Sequence, residues 1–467
     1  MLSVKAVLFL ILLFFSFFYF YKKYQRLEDL LFLGLLFSAT LRIGYIFYRY
    51  NGILLVDIFL VALLFFEITK YKNFRFFIPT IGIPFVIFIL VVMAGAGRNY
   101  IQKLNYPLSP FYDICFKNSI AETSKFIRAY LLLIVVFNYV SWKKNLNILL
   151  DALTFVFVFH SLVSIHQWRL GPVGLGILGE VYGRSYRSYG LFQHPNFLAD
   201  CLILVIPVFI RLFYFERTRK KLIRNGIVLG LTSLSLFVTF SRGAWIGLFL
   251  AVTAMFSIDI LRQNFRKVQK GALIVSLLFV ALFLVRYAPK IHERFVEDLT
   301  LERGSAAKIR IPLMKVAWNM IQDNPLLGVG LSNYKLWSDS YVFESELYSK
   351  EALSQITHNS YLLLAAEAGI PGAILYLMMI FAVLGKAFRT GWKNAPPAIK
   401  NMSFGIFWGM IALLITLNSG PDYMIHEVLN VFWIMGGIAL GLFSLKMKFL
   451  KYLKIQARQT AMNLAQT

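Results

Sequence analysis

Apolar residues run through this chain in unbroken blocks separated by short polar clusters, with little of the amphipathic alternation of a soluble helix or strand. Blocks of about 18 to 22 residues, the length that crosses a bilayer core, recur thirteen times: at 3–21, 28–48, 52–69, 77–95, 121–141, 146–167, 196–215, 222–240, 243–260, 271–288, 359–385, 401–420 and 426–445. Each predicts a membrane-crossing helix. The fifth carries Lys125 and Arg128, and the eleventh is interrupted at Gly369 and Pro371, where glycine and proline break or kink a helix. Val4 to Tyr21 is longer than a signal-peptide core, shows no small-residue cleavage site and is followed by Lys22-Lys23, so a retained membrane helix is expected. The fold class that follows is all-α: a polytopic bundle of about 12–13 spans.

One segment departs from the pattern. Pro289 to Thr357 is polar, holds eight basic and nine acidic residues, and is too long for a simple connection, so it reads as a structured loop bearing function. Ile309 to Ile321 places apolar residues at helical spacing around Trp318, which predicts a short amphipathic helix lying on the membrane. Asn324-Pro325-Leu326-Leu327-Gly328-Val329-Gly330 is a helix stop followed by a glycine-rich turn. The expected organisation is helices one to ten over 1–288, the loop over 289–358, the last three helices over 359–445 and a basic tail over 446–467.

Composition and charge decide the environment and the orientation. The 467 residues are 58% apolar and 15% charged, with a mean hydropathy of +0.66, which excludes a soluble domain of this size. The net charge of +25 is concentrated at Lys22–Arg26, Lys70–Arg75, Lys143-Lys144, Arg211–Arg224, Arg262–Lys270, Lys386–Lys400 and Lys446–Arg458. These clusters alternate with poorer connections, so all can lie on the cytoplasmic side. Topology accounts for the basic charge, and no nucleic-acid partner is implied. Cys115 and Cys201 have no metal-ligand spacing and no framework to staple.

With that orientation, four polar groups share the external side. One is the loop Trp168–Pro195, with Arg184, Arg187, Gln193 and His194, leading into Asn196. The others are Ser241-Arg242-Gly243, Arg310 with the Asn324–Tyr334 turn, and His358-Asn359. Cations on this side are what positive-inside sorting does not explain. A guanidinium at or below the membrane surface is costly and is kept for a partner or an anion, although Arg242 could also snorkel to lipid phosphate. His358 stands where a helix begins; the positive helix end disfavours an imidazolium, so the ring should stay neutral near pH 7 and accept a proton as a general base. The plainer reading is a boundary residue satisfied by a loop carbonyl. Ser241 could be a nucleophile or, more simply, cap the helix that Arg242 begins. Two guanidiniums and a neutral imidazole under a lid suit an anionic lipid-linked substrate and a hydroxyl acceptor. No cofactor and no metal are implied. Asp57, Glu67, Asp151, His160, His166 and Asp200 read as helix-packing polar groups, with Lys125 and Arg128 as their counter-ions.

Read in order, Phe192-Gln193-His194-Pro195-Asn196, Ser241-Arg242-Gly243-Ala244-Trp245-Ile246-Gly247, Asn324–Gly330 with Asn333-Tyr334, and His358-Asn359 through Glu367-Ala368-Gly369-Ile370-Pro371-Gly372 resemble the O-antigen ligase and polymerase superfamily. The resemblance implies a metal-independent, inverting membrane glycosyltransferase. Its donor would be a glycan linked to undecaprenyl diphosphate, and its acceptor the lipid A core, another glycan or a protein hydroxyl. It implies His358 as base and Arg242 and Arg187 as diphosphate ligands, with Arg184 competing for the second place. His194, Asn196, Arg310, Asn359 and Glu367 would support them. Expected partners are the donor, the acceptor and membrane lipids, at a bacterial inner membrane with the site facing the periplasm. A repeat-unit polymerase is the alternative within the superfamily, and an anion transporter or an assembly scaffold the alternatives outside it.

Overall fold

A computed structural model describes residues 18–19, 21–41, 55–71, 74–143, 146–170, 187–216, 218–261, 306–342, 355–392, 394–420 and 425–466. The expected spans at 3–21 and 271–288 lie outside these, except for the C-terminal end of the first, as do Arg184 and residues 289–305 and 343–354 of the polar loop. Every regular element among the described residues is helical, and no strand occurs there, which upholds the all-α reading.

The long helices are α1 (Leu27–Ala39), α2 (Leu55–Lys70), α3 (Pro79–Asn105), α4 (Pro110–Ser141), α5 (Asn147–Leu170), α6 (Pro195–Phe215), α7 (Arg219–Val238) and α8 (Arg242–Leu261). The polar loop contributes α9 (Ala306–Asp323) and the single turn α10 (Tyr334–Trp337), followed by a 3-10 turn at Ser338–Tyr341. The chain closes with α11 (Ser360–Trp392), α12 (Pro397–Thr416) and α13 (His426–Gln466). Eight of the described helices are long and apolar enough to cross a membrane. α4 is longer than the expected fifth span and carries its charges internally, paired rather than exposed to lipid: Arg128 meets Asp57 at 2.5 Å and Lys125 meets Glu122 at 2.6 Å. Asp151 takes other partners than the expected ones, namely Lys23 at 2.5 Å and Arg224 at 3.1 Å.

α6 lies at the centre, with 89% of its most apolar window buried. It packs against α7 and α12, while α13 packs along α4. Small residues permit these approaches, since lipid offers helices no hydrophobic reason to associate and close backbone contact must supply the attraction. A Cβ on Gly405 would stand 2.9 Å from the Pro207 carbonyl oxygen, and one on Gly437 would stand 2.8 Å from that of Leu133.

The polar loop is docked on the bundle. Leu313, Val316, Ala317 and Met320 of α9 are fully buried, and Tyr334 Oη donates to the Leu313 carbonyl at 2.6 Å. Trp318, around which the apolar spacing predicted a helix lying on the membrane, is 54% exposed and shares the outer face with Ile311 and Met314. The helix is thus apolar on both faces, one against protein and one available to the membrane interface.

The seat for this loop is a break in α11. Gly369 has φ +72° and ψ 168°, so helical bonding stops there. The freed carbonyls of Ala366 and Glu367 accept N–H bonds from Val329 and Gly330, each at 2.9 Å, and Ile370 N–H donates to Pro325 at 2.8 Å. Backbone polar groups released at membrane depth must find protein partners, and the Asn324–Gly330 turn provides them. Gly328 meets the same seat at φ +63°, where a Cβ would lie 2.6 Å from the Ala366 oxygen. From the other side Arg98 donates to Asn324 Oδ1 at 2.9 Å and to the Gly328 carbonyl at 2.5 Å.

Candidate functional site

The chain alternates direction, so the start of α6, the α7–α8 turn, the start of α11 and the end of α12 come to one end of the bundle. Hydrogen bonds tie them together. Ser188 N–H donates to the Val238 carbonyl at 3.0 Å, Ser360 N–H to that of Leu417 at 2.9 Å, and Thr416 Oγ1 makes a long contact of 3.4 Å with that of Gly243.

Arg187 is planted between two of these elements. Its Nε donates to the Thr239 carbonyl at 2.8 Å and its Nη2 to Asn196 Oδ1 at 2.6 Å. The backbone just after it is gripped by Gln167, which accepts from the Gly190 N–H at 2.8 Å and donates to the Gly190 carbonyl at 2.7 Å. The guanidinium therefore has a fixed position beside the turn that leads into Arg242.

That turn is strained. Phe240 has φ +51°, a left-handed conformation that costs a bulky L-residue roughly 1–2 kcal/mol. It is held by its own N–H to the Phe237 carbonyl at 3.0 Å and by Ser241 N–H to Thr239 Oγ1 at 3.2 Å. Arg242 is the first residue of α8 and half-buried. Gly243, next to it, presses so closely on the end of α12 that a Cβ would collide with the Ser419 hydroxyl. Any side chain there would push Arg242 away from α12.

His358 is carried to the same place by the next helix. Asn359 Oδ1 accepts from the N–H groups of Tyr361 and Leu362, both at 3.0 Å, the geometry of an N-cap. Ser360 Oγ donates to Gly420 O and Tyr361 Oη to Leu414 O, each at 2.6 Å. α11 thus begins against the segment that receives Gly243. The half-buried imidazole has a contact of 3.4 Å from Nε2 to Gln355 Oε1, long enough for a substrate to displace. Burial, and then the Arg310 charge, hold its pKa below the ordinary histidine value, so the ring is neutral and basic at pH 7.

His194 shares this environment. Its pKa is pulled down to about 4 by burial first, then by the charges of Arg187 and His358. Its Nδ1 accepts the Asn196 N–H at 3.2 Å, which caps α6 and puts the proton of the neutral ring on Nε2. His194 is consequently a donor while His358 is able to accept. The two imidazoles have been given different work by their hydrogen bonds.

Arg187, Asn196, His194, Arg242, Asn359, His358 and Arg310 therefore belong to one end of the bundle. Glu367 does not join them. It is 1% exposed inside α11 and accepts the Tyr334 N–H at 3.0 Å, so it works with the Asn324–Tyr334 turn to seat the polar loop. Sequence reasoning passed over Arg98, Asn99 and Phe240. Arg98 and Asn99 follow an apolar run at the end poor in basic clusters, the signal that singled out Arg242. Phe240 has no signal, because positive φ in an aromatic residue is imposed by its surroundings.

Comparison with known proteins bears out the resemblance seen in the motifs. Residues 227–377 match the family model described as O-antigen ligase, a span that includes Arg242, Arg310, the glycine turn, His358 and Glu367, but not Arg187 or His194. The chain is also 22% identical over 261 residues to the O-antigen ligase of Salmonella typhimurium (strain LT2). That match spans 53% of this chain and 60% of the relative's own length.

Proposed function

We propose that this multi-pass membrane protein, a member of the O-antigen ligase superfamily, is a glycosyltransferase of the bacterial inner membrane working at the periplasmic face. It moves a glycan from an undecaprenyl-diphosphate donor to a hydroxyl of the lipid A core. The observation that carries this reading is the gathering of the anchored Arg187, the half-buried Arg242 and two neutral histidines at the bundle end poor in basic clusters.

The chemistry assigns each group a task. The acceptor oxygen attacks the anomeric carbon as its proton passes to a ring nitrogen of His358. The bond between that carbon and the diphosphate oxygen breaks, and the electron pair leaves with the diphosphate. Arg242 and Arg187 balance the charge that develops, a guanidinium being suited to two phosphate oxygens at once. The Nε2–H of His194 donates to the same anion. The donor's polyprenyl tail lies between helices, and the apolar outer face of α9 keeps the polar loop at the membrane surface.

The test is transfer in proteoliposomes containing a polyprenyl-diphosphate oligosaccharide and a lipid A core acceptor. His358→Ala is expected to lower turnover by about 10²-fold or more with an unchanged elution profile. Undiminished transfer by that variant would remove the base role. A ladder of lengthening products without acceptor would indicate polymerisation, and donor movement without a new glycosidic bond would indicate transport.

A further inference from the structure

At the opposite end of the bundle the basic residues fall into two populations. Several are neutralised within the protein: Lys70 and Lys143 pair with Glu28 at 2.5 and 2.8 Å, Lys23 and Arg224 with Asp151 at 2.5 and 3.1 Å, and Arg211 with Asp259. A second group has no such compensation. Arg75, Lys386, Lys448 and Lys451 line one cavity of about 440 Å³, and among the described residues none makes an ion pair with a carboxylate.

Three of the four positions are constrained although their charges are not. Arg75 is fixed through its backbone, which exchanges two 3.0 Å hydrogen bonds with Asn138. Lys386 Nζ reaches Thr80 Oγ1 at 2.6 Å, and Lys448 Nζ donates to the Ser141 carbonyl at 2.8 Å while lying over the Trp142 ring at 4.4 Å. Four cations from the α3 approach, α11 and α13 are thus directed at one space whose walls are apolar, with Phe77, Phe137, Leu440 and Phe443. Phe77 and Met447 at its mouth are about half exposed. Cations above greasy walls, at the level where α3 and α11 leave the membrane, complement a ligand with an anionic head and hydrocarbon below it. A soluble phosphate would satisfy the charges and leave the apolar walls in water.

We propose that this groove binds an anionic phospholipid of the adjoining leaflet, with its headgroup phosphate among Arg75, Lys386, Lys448 and Lys451 and its acyl chains along Phe137 and Leu440. The site lies at the other end of the molecule from His358 and does not depend on the glycan chemistry. Juxtamembrane cations attract anionic lipid with an effect of about fivefold per residue. Basic pockets between helices on this side are suited to lipid headgroups for the same reason.

Native mass spectrometry of the full-length protein, titrated with phosphatidylglycerol or phosphatidylcholine, tests the assignment. Phosphatidylglycerol should remain bound at least about fivefold better than phosphatidylcholine, and Lys386→Gln/Lys448→Gln should abolish that preference. Arg75→Gln and Lys451→Gln, at exposed positions that leave the helices intact, should each weaken it by about fivefold, so a folding failure of the double variant would not decide the matter. Equal retention of the two lipids, or an unchanged preference in the single variants, overturns the proposal. So does full competition by millimolar inorganic phosphate, which would make this a free-anion site.

Discussion

Replacing Gly328 with alanine tests whether the glycine turn is an architectural joint. The residue sits at φ +63°, and an added Cβ would lie 2.6 Å from the Ala366 oxygen and closer still to the Glu367 carbonyl. The left-handed conformation costs an L-residue about 1–2 kcal/mol, and forcing a methyl group against backbone adds about 1–3 kcal/mol. If the turn withdraws to relieve the clash, the 2.9 Å bonds from Val329 to Ala366 and from Gly330 to Glu367 are lost, at about 1–3 kcal/mol for each group left buried and unpaired. A penalty of about 4 kcal/mol or more, against total stabilities of about 5–15 kcal/mol, should detach the polar loop before the bundle unfolds. Hydrogen exchange reads this directly: in Gly328→Ala the Val329 and Gly330 amides should lose protection while those of α6 keep theirs, and glycan transfer should fall. Gly385→Ala is the control, because its Cβ would meet nothing within 4 Å. Parent-like protection of Val329 and Gly330 in Gly328→Ala would refute the joint.

Other expectations concern the histidine and arginine end. Asn359→Ala removes the cap on the Tyr361 and Leu362 amides and should cost about 1 kcal/mol; turnover should fall, with recovery in Asn359→Asp, as measured by melting and transfer together. Arg187→Lys keeps the charge but cannot span the Thr239 carbonyl and Asn196 Oδ1, so the KM for donor should rise, and a kinetic profile equal to the parent's would count against the clamp. For His358 the folded pKa is depressed, so the basic form persists below the ordinary histidine value. Turnover should stay level as pH falls through about 6.5 and decline only below it, while Arg310→Ala should move the decline to higher pH. His194, with a folded pKa of about 4, is protonated first in the unfolded chain. Its contribution to stability is complete above about pH 6.5, shrinks as pH falls toward 4, and levels off below; His194→Gln should flatten that part of the melting profile.

Much of this molecule was legible in one dimension. Apolar blocks of bilayer length predict helices whatever their neighbours, because an unpaired backbone cannot exist in lipid. The break at Gly369 and Pro371, the helix start after His358 and the pairing of Arg128 with Asp57 could be anticipated because they depend on local chemistry or on a charge that must be matched. Residues brought to one end of the bundle by the alternation of chain direction, such as Arg242 and His358, were also within reach, since topology alone puts them there.

What the sequence by itself determined is the class of fold and the residue types that lie at the helix ends. Only the tertiary structure decided how those residues divide the work. Glu367 and the glycine turn became a seat for the polar loop because a broken helix frees carbonyls that must be satisfied. His194 became a donor because Asn196 occupies its Nδ1, and Trp318 turned outward because Leu313, Val316 and Met320 fill the contact with the bundle. Lys143 and Lys448 read alike in the sequence. Whether a carboxylate from a distant helix reaches a cation depends on packing, and that is why one is buried against Glu28 and the other opens on a groove.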